Sequence, residues 1–161
     1  MGAGFVSMPV ISNARIAGLT LYRKKGEPGM ALAEMTLLEE LGVEGDFHQG
    51  SERQVSLLSV ETRRWMEAQT EQGLCFKRFR ENILIEGLPL EDLDNGCLLS
   101  AGDAILRISM RNKRCYDECR LFSKGIPCRL SGCAAFAVVD RGGVIRIGDS
   151  VSSTAIGIGD A

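Results

Sequence analysis

"SAGDAILRI" (100–108) and "RIGDSV" (146–151) set the same Gly-Asp pair beside short runs in which apolar and polar residues alternate. Glycine reaches backbone conformations closed to other residues, and an aspartate next to it bonds neighbouring amides, so each pair marks a tight turn. Alternating, glycine-bounded runs recur at 15–22, 54–58, 82–86, 104–109, 136–139 and 144–147. This pattern predicts short strands, and their punctuation predicts a mainly β fold with a closed or nearly closed sheet. One helix is expected behind Ser59, which can cap "VETRRWMEAQTEQ" (60–72), with Gly73 as its stop. Trp65 and Met66 would supply its apolar contacts, and Arg63 and Arg64 would face solvent. "ALAEMTLLEEL" (31–41) is open between helix and strand, because its Ala, Leu, Met and Glu favour helix while its length suits a strand.

The chain has 161 residues, no repeat and no composition break, so it is expected to form a single domain, 1–161, with its own core. The opening "MGAGFVSMPVIS" lacks the marks of a secretory signal, and no apolar stretch approaches the ~20 residues of a membrane span. The expected location is therefore the cytoplasm, with no membrane partner. A net charge of −2, from 19 Lys and Arg against 21 Asp and Glu, offers no footprint for nucleic acid. Local charge differs: six basic residues (Arg111, Lys113, Arg114, Arg120, Lys124, Arg129) lie with only two acidic ones between 111 and 130, and Lys77, Arg78 and Arg80 cluster earlier. Such runs suit either a solvated face or a small anionic ligand.

Four of the six cysteines, Cys115, Cys119, Cys128 and Cys133, fall in "RCYDECRLFSKGIPCRLSGC" (114–133). In a reducing compartment, metal binding, thiol chemistry or burial outranks disulfide formation. If "KRCYDECRLFSKG" (113–125) is helical, Cys115, Cys119 and Phe122 share one face, and Pro127 then turns the chain so that Cys128 can return toward the pair. Neighbouring Arg and Lys favour thiolate, the form that attacks, carries sulfur or ligates metal. The spacing C-x3-C-x8-C-x4-C departs from the C-x2-C pairs of most zinc ribbons, yet leaves a zinc-holding interaction module open. Cys75, Cys97 and Cys133 read as packing residues.

Upstream, "GVEGDFHQGSERQVSLLS" (42–59) places Asp46 and the only histidine, His48, between glycines in a tight loop, then Arg53 at the mouth of an apolar strand. "RFRENILIEGLPLEDL" (78–93) joins Arg80, Glu81 and Asn82 just before another. Planar guanidinium groups suit phosphate or carboxylate.

In this order the Gly-Asp-x-His loop, the Arg-Gln strand, the Arg-Glu-Asn turn, the cysteine of "KRCYDEC" and the closing "AAFAVVDRGGVIRIGDSV" (134–151) resemble the MOSC domain, named for the carboxyl-terminal domain of molybdenum cofactor sulfurases. The resemblance runs from about residue 10 to 151, and the extra cysteines are similar to those of small stand-alone bacterial members. It implies a β-barrel with a few short helices and work on the molybdenum cofactor, a pterin dithiolene bearing a phosphate. The family cysteine corresponds to Cys115, which would carry sulfur as a persulfide or ligate molybdenum, with Cys119 or Cys128 as resolving thiol. Many relatives have Pro just before it, where this chain has Arg114. Arg53 and Arg80, with Lys113 or Arg114, would hold the phosphate, and Asp46, His48 and Asn82 the pterin edge. Neither a pyridoxal-phosphate desulfurase domain nor the amino-terminal domain of amidoxime-reducing members is expected. A separate cysteine desulfurase or other donor would then supply the sulfur, and a molybdenum enzyme or maturation protein would receive it. The function implied is a sulfur carrier or sulfurtransferase-type protein; a molybdenum-dependent reductase component is the alternative within the family.

Overall fold

The computed structural model describes residues 14–70, 72–73, 75–76, 79–111, 119, 121, 124–125 and 128–154. Its first strand, β1 (Ala14–Leu21), buries Ala14, Ile16, Leu19 and Leu21. The two-residue period slips between Ile16 and Leu19, where the pairing of β1 shifts register between Ile16 and Gly18, so a bulge returns the later residues to the inner face. β2 (Met30–Ala31), β3 (Glu34–Leu38) and β4 (Gly42–Val43) follow. The ambiguous 31–41 stretch is thus mostly strand: Met35 and Leu37 alternate inward, which pairing rewards over helix propensity.

β5 (Val55–Ser59) is buried at every position. It leads into helix α1 (Val60–Ala68), whose first turn is capped by the Ser59 hydroxyl accepting from the Thr62 N–H at 3.1 Å. The helix ends earlier than the expected Gly73 stop, because Gln69 already has extended backbone and its N–H closes the last turn on the Met66 carbonyl. Then come β6 (Ile83–Glu86), a 3-10 turn (Leu90–Asp92), β7 (Leu98–Ala101), β8 (Ala104–Arg111), the short helix α2 (Arg129–Cys133), β9 (Ala135–Arg141), β10 (Gly143–Arg146) and β11 (Ser150–Thr154).

Seven strands close into a barrel in the order β1, β11, β7, β8, β9, β5, β6, and β6 pairs back onto β1. Every barrel pairing is antiparallel except β5 with β6, which are parallel and joined through α1. A parallel pair needs a crossover, and here the crossover supplies the main helix. Closure removes the sheet edges. β10, β3 and β4 form a separate three-stranded sheet. The two Gly-Asp turns meet: Gly102 (φ 54°) and Gly148 (φ 94°) adopt left-handed backbone, the Asp149 carboxylate accepts from the Arg146 N–H at 2.8 Å, and the Gly102 N–H donates to the Ser150 carbonyl at 3.4 Å.

The barrel interior is filled by residues such as Ile16, Leu57, Ile85, Leu99 and Val139. A second core lies outside it, where Leu58 of β5 and Phe136 of β9 meet Met66 of α1, Leu130 of α2, and Phe76, Phe79, Cys119 and Leu121. β5 therefore serves two cores, which explains its uninterrupted burial. No helix among the described residues is long and apolar enough to cross a membrane.

Candidate functional site

The loop before β5 turns on Gly45 (φ 86°) and Gly50 (φ 82°), and it delivers Asp46 into the protein, 3% exposed. Its Oδ1 accepts from the Tyr22 N–H at 2.9 Å and from Asn82 Nδ2 at 3.1 Å. Its Oδ2 accepts from the His48 N–H at 3.1 Å and lies 2.8 Å from His48 Nδ1. Burial pushes the Asp46 carboxyl up, but the His48 ring and the N–H groups of Tyr22 and His48 together outweigh it, and the group sits below its ordinary value. The same bond places the proton on Nδ1 and directs the half-buried imidazole, which stacks against Phe47 with ring centroids 3.8 Å apart.

Asn82 is fully buried and every polar atom of its side chain is used. Its Oδ1 accepts from the Ser56 N–H at 3.0 Å and the Ser56 hydroxyl at 3.1 Å, and its Nδ2 donates to the Thr20 carbonyl and to Asp46, both at 3.1 Å. One amide thus ties β1, β5, the Asp46 loop and the entry to β6. The residues preceding it are held as well, because the Ser56 hydroxyl also lies 2.8 Å from the Arg80 carbonyl and the Tyr22 hydroxyl donates to the Glu81 carbonyl at 3.1 Å.

That frame carries a cleft of about 460 Å³ walled by Tyr22, Arg63, Phe76, Phe79, Arg80 and Glu81. The Arg80 guanidinium lies 5.7 Å over the Tyr22 ring and donates to the Glu27 carbonyl. Arg63 of α1 pairs with the Glu81 carboxylate. Burial, then the Glu81 charge, pushes the Tyr22 hydroxyl up to about 12 against the opposing pull of Arg80. Arg53 is exposed, its guanidinium 5.0 Å over the Phe136 ring, which in turn meets Phe79 edge-on at 5.8 Å. Neither Arg53 nor Arg80 pairs with a carboxylate among the described residues.

Cys119 is buried in the second core, 7% exposed, and Cys128 is half-buried against it at the start of α2. Cys97 and Cys133 are buried and Cys75 packs against the second core, as their packing reading expects. Lys113, Arg114 and Cys115 lie outside the described residues, as does most of the 113–125 stretch expected to be helical. Among the described residues no three His, Cys, Asp or Glu side chains are placed to hold a metal ion, so Cys119, Cys128 and Cys133 are not gathered into one centre.

The cleft also holds residues that sequence reasoning missed. Arg63, expected in solvent, is 24% exposed and engaged by Glu81. Tyr22 and Glu81 meet across 59 positions of sequence. Alternation marked Tyr22 only as the end of a strand, and no local signal connects it to "REN".

Comparison with known proteins agrees with this architecture. The YuaD protein of Bacillus subtilis superposes with a TM-score of 0.75 at 18% identity, over 94% of this chain and 100% of that one. YiiM from Geobacillus stearothermophilus gives 0.63 at 18% identity, over 91% and 77%. YiiM from Escherichia coli gives 0.56 at 19% identity, over 88% and 70%. A comparison with curated proteins finds no match. The family model of the MOSC domain matches residues 44–152, which spans the Asp46 loop, the cleft arginines and the closing strands, and the chain belongs to the MOSC domain family.

Proposed function

We propose that this protein handles the molybdenum cofactor and its terminal sulfur, with the Arg80 cleft as the seat of the cofactor and Cys115 as the sulfur-carrying thiol. MOSC domains are associated with molybdenum cofactor binding in general, and the cleft fits such a group. At about 460 Å³ it falls in the range of small-molecule sites, roughly 300–1,000 Å³. Phe76, Phe79 and Tyr22 give the cleft aromatic walls, and Arg80, lying over the Tyr22 ring, offers a guanidinium fork for a phosphate.

The observation that carries the proposal is the shared wall. Phe76 and Phe79 line the cleft on one side and belong to the second core on the other, where they pack with Cys119 and Leu121. Cys119, four positions after Cys115 in the sequence, thereby packs behind the aromatic wall of the cleft.

In this scheme the Cys115 thiolate attacks the terminal sulfur of a donor persulfide, R–S–SH. The donor's S–S bond breaks, the donor leaves as a thiolate and Cys115 becomes Cys–S–SH. The donor is a cysteine desulfurase or similar protein, which holds any pyridoxal phosphate, and the recipient is a molybdenum enzyme or one of its maturation factors. The molybdenum cofactor, when bound, supplies the metal that accepts the sulfur. Arg80, assisted by Arg53, holds the phosphate, while Asp46 and Asn82 position the strands and loop around it and Asp46 holds the half-buried His48 imidazole. Cys119 or Cys128 acts as the resolving thiol.

Cofactor loading tests the seat. Protein produced in cells making the cofactor and purified without oxygen should carry molybdenum and release a fluorescent oxidised pterin, and Arg80→Gln should lose both in parallel. Equal loading of the variant, with an unchanged melting temperature, would move the seat elsewhere.

A further inference from the structure

Arg63 and Arg80 line one cleft in different electrostatic states. Among the described residues Arg80 contacts neutral partners, the Tyr22 ring and the Glu27 carbonyl, whereas Arg63 is matched by the Glu81 carboxylate. The Glu81 backbone is pinned: its carbonyl accepts the Tyr22 hydroxyl, and the residues on either side are tied to Ser56. Arg63 stands in the first turns of α1 behind the Ser59 cap. What can rearrange is the pairing itself, between two side chains 24% and 16% exposed on the cleft wall. An anion that reaches Arg80 finds the second guanidinium of the same cleft already taken, and a carboxylate that repels it.

We infer that Glu81 is a displaceable counter-ion that gates anion binding: a phosphate-type group held by Arg80 takes Arg63 from Glu81, and this exchange limits how tightly anions bind. The inference rests on the reading of the cleft as an anion seat. With Glu81 paired, the two arginines and the carboxylate sum to one positive charge; without the carboxylate they sum to two. Unladen, the pair keeps Arg63 from adventitious anions, and only a ligand that also gains contacts at Arg80 and the aromatic walls offsets the cost of separating it.

The chain's single tryptophan provides a reporter, since Trp65 meets Phe76 of the cleft wall edge-on at 5.7 Å. Inorganic phosphate is titrated at constant ionic strength into the wild type, E81Q, R80Q and E81Q/R63Q, read by Trp65 emission and by calorimetry, with E81A as the alternative should E81Q melt early. The expected result is phosphate binding about 10- to 100-fold tighter in E81Q, as befits a charge-assisted contact restored to the ligand. The gain should vanish in E81Q/R63Q, and R80Q should bind more weakly than wild type. If R80Q weakens binding but E81Q and E81A do not strengthen it, the anion seat stands and the gate is refuted. A gain that survives removal of Arg63 also refutes the gate, since Glu81 would then act only through its diffuse charge. Absence of any Arg80-dependent binding would overturn the seat and the gate together.

Discussion

Replacing Asn82 by Ala removes one amide and leaves two main-chain groups without it, one buried and one part-buried. The Ser56 N–H, bonded to Asn82 Oδ1 at 3.0 Å, and the Thr20 carbonyl, bonded from Nδ2 at 3.1 Å, lose these partners, while the Ser56 hydroxyl keeps the Arg80 carbonyl and Asp46 keeps its other donors. The buried Ser56 N–H costs about 1–3 kcal/mol when orphaned and the part-buried Thr20 carbonyl about 1 kcal/mol, so Asn82→Ala should lose about 2–4 kcal/mol. In a chain of this size that corresponds to a drop in Tm of roughly 5–15 °C. Urea unfolding followed by circular dichroism reads the loss, and a change below about 1 kcal/mol would refute the clip. Asn82→Asp sharpens the test, because it keeps the acceptor for Ser56 but faces a carboxylate with Asp46 at the 3.1 Å contact. Asp46→Asn in that background removes the second carboxylate but turns an amide nitrogen toward the Tyr22 or the His48 N–H, and the double variant should regain about 1 kcal/mol over Asn82→Asp alone.

Three further outcomes follow from the same geometry. The Tyr22 hydroxyl, pushed up to about 12, should remain protonated while an ordinary phenol titrates near 10, and the late step in the ultraviolet titration should vanish in Tyr22→Phe; its contribution to stability is full below the unfolded value and fades as pH rises toward 12. Asp46 is shifted the other way, so its contribution is present above the unfolded carboxyl value of about 4 and lost as pH falls through the lower folded value; Asp46→Asn should flatten that acid limb in urea unfolding. Ser59→Ala removes the cap of α1 and a buried bond to the Thr62 hydroxyl, and should cost about 1–2 kcal/mol by the same assay.

How far the molecule could be read in advance depended on how local each determinant is. Period-two runs and Gly-Asp turns depend on neighbouring residues alone, and they located β1, β5, β6, β8, β9 and β10 within a few residues. The strand Leu98–Ala101 escaped because its alternation begins directly at a turn and includes Ser100. The Arg-Glu-Asn turn was visible as a motif, but what its members do was not. Asn82 and Asp46 form an internal clip, while Arg80 opens into a cleft, a division made by the partners Ser56, Thr20 and Tyr22 from other strands. Arg63 looked solvent-facing because α1 was read without the second core that covers it. The cleft is a product of barrel closure, and no window of sequence contains it.

The most direct test of the central claim is the mass of the protein purified without oxygen or reductant, measured native and denatured, in wild type and Cys115→Ala. Carriage of sulfur by Cys115 predicts one added sulfur that survives denaturation, disappears on treatment with a thiol reductant and is missing from the variant. A denatured mass equal to the bare chain after exposure to a persulfide donor, or an added sulfur retained in Cys115→Ala, would contradict it.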